Sequence, residues 1–238
     1  MKYAIIAAGE GSRLAQEGIS VPKPLVEVGG ERLIDRLIRV FMDNNAGEIC
    51  VICNEQMMAV AAHLKKIQQE GGVPLKYMVK STPSSMHSMW ELSKWLKDEP
   101  FVLTTVDTIF REQDFKEYAR ALEQTVKTGL TDGLMGVTGY IDDEKPLYVE
   151  VNDEDRITAF LDKCDNPKYI SGGIYGLTPK SIETLSRCIE RGDSRMRNFQ
   201  RALIADGLNL KAFVFDKVLD IDHASDIEKA EAFLGNEK

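Results

Sequence analysis

The sequence is short of positive charge and of long apolar runs. Its 238 residues carry 30 Lys and Arg against 38 Asp and Glu, a formal net charge of -8. This deficit argues against a general affinity for nucleic acid or anionic membranes, because both favour an excess of cations. No stretch approaches the ~20 apolar residues of a membrane span. We therefore expect no nucleic-acid or membrane partner, and any anionic ligand must be held locally.

Cysteine is also scarce, with four residues in the chain. The opening MKYAIIAAGEGSR has a short apolar run followed by glycines, which differs from a secretory signal. We therefore expect a cytoplasmic protein with reduced cysteines. Cys50 and Cys53 spell C-x-x-C, but three positions along a strand place their side chains on opposite faces, so both are predicted to be core residues.

Strand-length apolar runs alternate with amphipathic segments in the first half of the chain. Residues 2-7, 48-53 and 101-106 are nearly continuous in apolar side chains, as strands covered on both faces are. Residues 31-45 and 86-97 carry apolar stripes at helical spacing. The alternation predicts an α/β fold with a mainly parallel sheet flanked by helices, and with ligands bound beyond the carboxyl ends of the strands.

The pattern changes beyond about residue 133. Shorter apolar segments, separated by DDEKP, NDEDR and DKCDNPK, predict a small mixed or antiparallel extension, followed by helices near 179-191, 195-206 and 224-234. No linker rich in Pro, Gly or Ser separates the two parts. We therefore expect a single domain over 1-238, with halves at 1-132 and 133-238.

A glycine loop follows the first predicted strand. Gly9 and Gly11 stand where an open α/β sheet binds phosphate, since glycine lets backbone N–H groups approach an anion closely. A dinucleotide fingerprint would need glycine where Leu14 stands, and the P-loop pattern is absent. Downstream, VPKPL brings Lys23 toward the loop that carries Arg13, so two cations would converge on a polyphosphate. A tight turn without a ligand is the alternative interpretation.

The two-part pattern AAGEGSRL and PKPL resembles the opening signature of the sugar-phosphate nucleotidyltransferases. The similarity extends to YVEV, FLDK, SGGIYG and the terminal LDIDHASDIEKAEAFL. It implies a Rossmann-like α/β fold. It also implies transfer of a nucleotidyl group from a nucleoside triphosphate to a phosphorylated small molecule, with Mg²⁺ as cofactor and release of pyrophosphate. The chain departs from the family at Val106, where glycine is common, and at Ala15-Gln16, where a proline is common.

The resemblance also implies site residues. The transfer needs stabilisation of phosphate charge, for which cations and Mg²⁺ held by carboxylates are suited. The implied catalytic residues are Arg13 and Lys23. The implied metal ligands are Asp107 and Asp222. The implied nucleotide-binding residues are Ala7, Ala8, Gly9, Gly11, Ser12, Ser81, Thr82 and Ser85. The implied acceptor-binding residues are Glu150, Lys163, Gly172, Gly173, Arg195 and Arg197.

Several alternatives stay open at this stage. The acceptor could be a sugar 1-phosphate or phosphocholine, and a molybdopterin-type nucleotidyltransferase or a non-catalytic, nucleotide-sugar-binding relative would share the glycine loop. Simple roles are possible too: an aspartate after a strand can cap a turn, Ser84 or Ser85 can cap a helix, and the three acceptor cations can be solvated surface charges. The base, the acceptor and the oligomeric state are not determined.

Overall fold

The computed structural model describes residues 1-142 and 144-235. The strands are β1 (Lys2–Ala7), β2 (Glu27–Val28), β3 (Glu31–Arg32), β4 (Glu48–Cys53), β5 (Leu75–Val79), β6 (Phe101–Thr105), β7 (Thr108–Phe110), β8 (Gly133–Thr138), β9 (Tyr148–Val151), β10 (Ile157–Leu161), β11 (Tyr169–Leu177), β12 (Leu210–Phe215) and β13 (Val218–Asp220). The helices are α1 (Ser12–Gln16), α2 (Leu33–Asp43), α3 (Met58–Glu70), α4 (Ser85–Leu96), α5 (Glu112–Thr128), α6 (Lys180–Glu190), α7 (Met196–Ala205) and α8 (Ala224–Gly235).

Nine strands form one large sheet. Its parallel part runs in the order β6-β1-β4-β5. Starting from β1, the chain adds β4 and β5 on one side and then β6 on the other, so the strand order reverses at β1. Strand β11 joins β6 antiparallel, β8 joins β11, and β12 lies parallel to β8. The short hairpin of β9 and β10 extends the sheet beside the first residues of β11. The predicted α/β class, with a mainly parallel sheet and a small antiparallel extension, is confirmed.

Helices cover both faces of this sheet. The apolar stripes of α2, α3, α5 and α8 pack into one buried cluster, and those of α4, α6 and α7 pack into the other. Cys53 belongs to the first cluster and Cys50 to the second, so the predicted alternation and burial of the two cysteines are confirmed. In the part of the chain that the structure describes, no helix has the length and apolar character needed to cross a membrane.

Glycines in β11 permit two close approaches. A Cβ at Gly176 would lie 2.5 Å from the Tyr118 hydroxyl, so this glycine lets α5 lie against the sheet. At Gly172 and Gly173 the register of β11 against β8 shifts, and Gly173 has φ +70. A β-bulge with glycine at positive φ re-aims the strand locally. The bulge faces the loop between β6 and β7, where a Cβ at Gly173 would lie 3.4 Å from Thr108 Oγ1.

Candidate active site

The loops that follow the four parallel strands β1, β4, β5 and β6 line one cavity of about 520 Å³. Because the carboxyl ends of parallel strands meet at one edge of a sheet, these loops converge although they are far apart in sequence. We call this space the first cavity. Its lining includes Ala8, Gly9, Gly11, Ser12, Arg13, Lys23, Asn54, Thr82, Ser85, Thr105, Asp107 and Asp222. Most of the predicted nucleotide-binding and catalytic residues therefore lie together.

Gly11 shapes the loop after β1. It adopts φ 62 and precedes α1, a conformation that favours glycine. A Cβ at this position would also lie 3.1 Å from the Cβ of Lys23, so glycine allows the 3-10 turn Lys23–Leu25 to pack against the loop. Ala7 was also predicted to bind the nucleotide, but it is buried at the end of β1 and does not line the first cavity.

Lys23 lies between the two predicted metal ligands. Its side chain is buried, and its Nζ donates to Asp107 Oδ2 and, over 2.7 Å, to Asp222 Oδ1. Burial alone would lower the pKa of Lys23, but the ion pairs with Asp107 and Asp222 outweigh it and hold the pKa above its usual range. Lys23 therefore carries a positive charge that the two carboxylates share, and Arg13 supplies a second cation to Asp222.

The small sheet of β7 and β13 brings these carboxylates together. Asp107 precedes β7 and Asp222 follows β13, and the two strands pair antiparallel. The Ile221 N–H donates to the Asp107 carbonyl over 3.1 Å, which extends the pairing toward both aspartates. Arg13 Nη1 then donates to Asp222 Oδ2 over 3.0 Å. All four residues predicted for catalysis and metal binding are thus in one connected group.

Two carboxylates that contact the same ammonium lie close enough to share an ion. Mg²⁺ is usually held by one or two protein carboxylates, with waters and substrate phosphates as its other ligands. Within residues 1-142 and 144-235, no group of three or more His, Cys, Asp or Glu side chains could hold a metal. The pair of Asp107 and Asp222 suits a Mg²⁺ of this kind, and their metal role stays a prediction.

A second cavity of about 400 Å³ adjoins the first, and Arg13 and Asp222 line both. Half of the residues that line it carry charged side chains. Its lining includes Tyr140, Asp142, Glu144, Lys145, Ser171, Gly172, Arg197, Asp220, His223, Asp226 and Lys229. The two cavities therefore meet at the group that contains Lys23 and the two aspartates.

The predicted acceptor-binding residues divide into two sets. Gly172 and Arg197 line the second cavity, and Gly173 follows in the bulge. Arg197 Nη1 donates to Asp162 Oδ1 over 2.6 Å and its Nη2 to the Lys145 carbonyl over 2.9 Å, which fixes the guanidinium. Hydrogen bonds from Arg201 and Arg197 lower the pKa of Asp162.

The other three predicted acceptor-binding residues, Glu150, Lys163 and Arg195, are exposed and line neither cavity. Arg195 adopts φ 71, and its backbone N–H donates over 3.4 Å to the Ser84 hydroxyl, which belongs to the first cavity. The acceptor roles of these three residues stay predictions.

The Ser/Thr-rich turn before α4 lines the first cavity with neutral polar groups. Thr82 and Ser85 lie on its wall, whereas the Ser81 hydroxyl donates to Asn54 Oδ1 over 2.9 Å and does not line it. Ser84 occupies the N-cap of α4 without a side-chain capping bond, and its hydroxyl instead contacts His87 Nδ1 at 2.9 Å. Ser84 therefore does not cap α4 with its side chain, as the alternative interpretation would require.

Sequence reasoning missed several residues of both cavities. Asn54 follows β4 as Asp107 follows β6, so its place at the carboxyl end of a strand could have identified it. His223 directly follows the predicted metal ligand Asp222 but was not predicted as a site residue. It lines the second cavity, and a hydrogen bond with Glu17 raises the pKa of His223 and lowers that of Glu17. Tyr140 gave no signal, since it lies in an irregular segment.

Comparison with known proteins agrees with this geometry. A family model described as "Nucleotidyl transferase" matches residues 2-237. The mannose-1-phosphate guanyltransferase of Candida albicans is 27% identical over 193 residues, 78% of this chain and 52% of that protein. The chain thus spans about half the length of that relative. The UTP–glucose-1-phosphate uridylyltransferase AglF of Haloferax volcanii is 25% identical over 100% of this chain and 98% of its own length.

A solved structure shares the fold. The crystal structure of a Bacillus anthracis protein designated a glucose-1-phosphate thymidylyltransferase superposes with a TM-score of 0.85, at 19% identity, over 100% of this chain and 96% of that chain. At this identity the likeness concerns the fold alone. Together with the family match over nearly all residues, the glycine loop, the paired aspartates and the central sheet lead to one assignment. The chain belongs to the nucleotidyl transferase family.

Proposed function

We propose that this protein transfers a nucleoside monophosphate from a nucleoside triphosphate to a sugar 1-phosphate or a similar phosphorylated small molecule, with release of pyrophosphate. The observation that carries the proposal is the pair of cavities that meet at Arg13 and Asp222. One cavity offers a glycine loop and neutral polar groups, which suit a nucleotide. The other offers charged groups, which suit a phosphorylated acceptor. Relatives named as mannose-1-phosphate guanyltransferase and glucose-1-phosphate uridylyltransferase support the acceptor class.

The junction of the cavities is where the transfer would take place. A phosphate oxygen of the acceptor forms a bond to the α-phosphorus, and the bond to pyrophosphate breaks, so negative charge moves onto the leaving group. Because the nucleophile is already an anion, a Ser-His pair is not needed. Arg13 and Lys23 lie at this junction and would offset the developing charge, which is the principal contribution a protein can make to this reaction.

The remaining groups bind and orient the two substrates. Backbone N–H groups at Gly9 and Gly11 would hold phosphate oxygens, and Thr82 and Ser85 would contact the nucleoside. Arg197 would bind the acceptor's phosphate, since Asp162 and the Lys145 carbonyl already fix its guanidinium at the wall of the second cavity. Lys163, Glu150 and Arg195 are kept as proposed acceptor contacts that would require the surface segments to move.

Asp107 and Asp222 would hold Mg²⁺, which supplies positive charge to the triphosphate when it is bound. We further propose a cytoplasmic location and one domain over residues 1-238.

The test is a matrix of nucleoside triphosphates against acceptors, read by pyrophosphate release with Mg²⁺ and with EDTA. The acceptors are glucose 1-phosphate, mannose 1-phosphate and phosphocholine, so the phosphocholine-type alternative is measured in the same experiment. We expect turnover with at least one sugar 1-phosphate and loss of turnover with EDTA. Tight nucleotide binding by calorimetry without pyrophosphate release from any pair would instead identify a non-catalytic relative and overturn the proposal.

A further inference from the structure

A histidine and a glutamate form a pair at the rim of the second cavity. His223 directly follows Asp222, and its Nδ1 lies 2.6 Å from Glu17 Oε1. The other carboxylate oxygen of Glu17 accepts a hydrogen bond from the Ala224 N–H over 2.6 Å. Both oxygens of Glu17 are therefore used on one turn, although 206 positions separate Glu17 from His223 in the sequence.

The backbone of the same turn is also held by Asp226. Asp226 Oδ2 accepts hydrogen bonds from the backbone N–H groups of Asp222, over 3.1 Å, and His223, over 2.8 Å. The backbone of the turn and the Nδ1 side of the imidazole are thus both held. When a carboxylate engages one ring nitrogen of a histidine, the orientation of the ring is set and the other nitrogen is left to act.

The second ring nitrogen of His223, Nε2, is on the side of Glu144, its nearest charged neighbour. Both His223 and Glu144 line the second cavity, and Nε2 is 3.9 Å from Glu144 Oε1, beyond hydrogen-bond distance. Within the described parts of the chain, Nε2 has no hydrogen-bond partner. A fixed polar atom at the wall of a cavity, with hydrogen-bonding capacity that the fold does not use, is suited to contact a ligand.

We propose that His223 binds the acceptor substrate through Nε2, and that Glu17 is the positioning residue that orients its ring. This inference rests on the function proposed above. Arg197 on the same wall suits the acceptor's phosphate, and Arg13 and Asp222 mark the junction with the first cavity. His223 is the neighbour of Asp222, so its contact falls near the phosphate end of the acceptor.

Helix α1 connects this pair to the phosphate-binding loop. Arg13 lies in α1 and donates to Asp222, while Glu17 is the C-cap residue of the same helix and holds His223 and Ala224. One rigid turn of helix therefore fixes the distance between a cation for the transferred phosphate and a contact for the acceptor. Such fixed spacing favours in-line approach of the two substrates.

The decisive variant is His223→Asn. An asparagine amide can still donate to Glu17 from about the place of Nδ1, but it cannot reach the position of Nε2. We expect the KM for the acceptor, measured with glucose 1-phosphate or mannose 1-phosphate, to rise about 10-fold, the loss of one hydrogen bond to a charged group. The KM for the nucleoside triphosphate should change less than about 2-fold. Glu17→Gln should raise the acceptor KM by a smaller factor, and its effect should not add to that of His223→Asn.

The chain offers a matched control and a second measurement. His63 Nε2 also contacts a carboxylate, Asp35 Oδ1 at 2.5 Å, and neither residue lines either cavity, so His63→Asn should leave both KM values unchanged. The protein has three histidines, which makes ¹⁵N spectra of the imidazoles simple to assign. Adding the sugar phosphate to the wild-type protein should shift the signal of His223 Nε2 and leave that of His63 in place.

The outcomes separate this inference from the function on which it rests. A wild-type protein that releases pyrophosphate, together with an unchanged acceptor KM in His223→Asn or an unmoved Nε2 signal, would overturn only the role of His223. An equal rise in both KM values would also overturn it, because it would indicate a displaced Asp222. A wild-type protein that releases no pyrophosphate with any pair would remove the proposed function itself.

Discussion

Replacement of Lys23 by methionine tests the centre of the site. Methionine keeps an apolar stem of similar length but removes the ammonium that lies between Asp107 and Asp222. In the absence of a divalent cation, the two carboxylates would then face each other without their shared counter-charge. We expect the variant to fold but to be less stable, and its turnover to fall at least ~10²-fold because a cation at the transfer point is lost.

The size of the stability loss follows from the exposure of the three side chains. Removing one partner of a buried ion pair costs roughly 3-5 kcal/mol. Here Lys23 is 9% exposed and Asp107 17%, but Asp222 is 46% exposed and keeps its bond to Arg13, so water and a second cation reduce the cost. We expect about 2 kcal/mol. For a chain of this length that corresponds to a Tm lowered by about 4-8 °C.

Thermal unfolding in EDTA and in Mg²⁺, without nucleotide, provides the assay. Mg²⁺ should raise the Tm of Lys23→Met by several degrees, because a hard cation can take the place of the ammonium between the same oxygens. It should raise the Tm of the wild-type protein less, since the Lys23 ammonium already lies between the two carboxylates. Lys66→Met is the control: its ion pair with Glu70 is exposed, and such pairs contribute at most about 1 kcal/mol. Equal Mg²⁺ shifts in variant and wild type, or a wild-type rate in the variant, would refute the reasoning.

Three further predictions use other parts of the fold. Gly176→Ala should lower the free energy of unfolding by about 1-3 kcal/mol, since its Cβ would lie 2.5 Å from the Tyr118 hydroxyl, and an unchanged urea midpoint would contradict this. Asp206→Asn should cost about 1 kcal/mol at pH 7, because hydrogen bonds from two α6 side chains lower the pKa of Asp206 below its unfolded value of about 3.9. This difference in the free energy of unfolding between wild type and variant should be full above the pKa of Asp206 in the unfolded chain. It should vanish as pH falls through the lower pKa of Asp206 in the folded protein. Urea titrations in which the difference grows on acidification would contradict this. Arg197→Lys should raise the acceptor KM more than Lys163→Ala does, and the reverse order in steady-state kinetics would place the phosphate contact at Lys163.

The sequence predicted best the helices and strands whose pattern of apolar residues is unambiguous. Strands 2-7 and 48-53 coincide with the observed bounds, because strands buried on both faces are apolar throughout. Helix α5 was not predicted, although Phe115, Tyr118, Ala119 and Leu122 form a buried stripe, since charged residues surround that stripe. Strands of two or three residues, such as β7 and β13, are too short to show a period at all.

The site residues also divide into those that the sequence pattern locates and those that depend on contacts between distant parts of the chain. The place of the glycine loop and of Asp107 follows from sequence order, since each comes directly after a parallel strand. Asp222 could be identified only by resemblance, because the pairing of β13 with β7 that brings it to Asp107 joins distant parts of the chain. Lys23 was expected at the triphosphate. The sequence shows the charge of Lys23. Its contacts with two carboxylates could not be predicted, because the pairing of β7 with β13 brings those carboxylates together.

The turn at Asp222 explains why one short segment can serve both cavities. Its carboxylate receives hydrogen bonds from Arg13 and Lys23, which belong to the first part of the chain, while the following His223 faces the second cavity. Because Asp222 is about half exposed, it accepts from two cations and its carboxylate still reaches solvent. Glu17 holds the same turn from the end of α1, so one short helix joins the glycine loop to the wall of the second cavity. The short segment after β13 therefore connects the two cavities through both its backbone and its charged side chain.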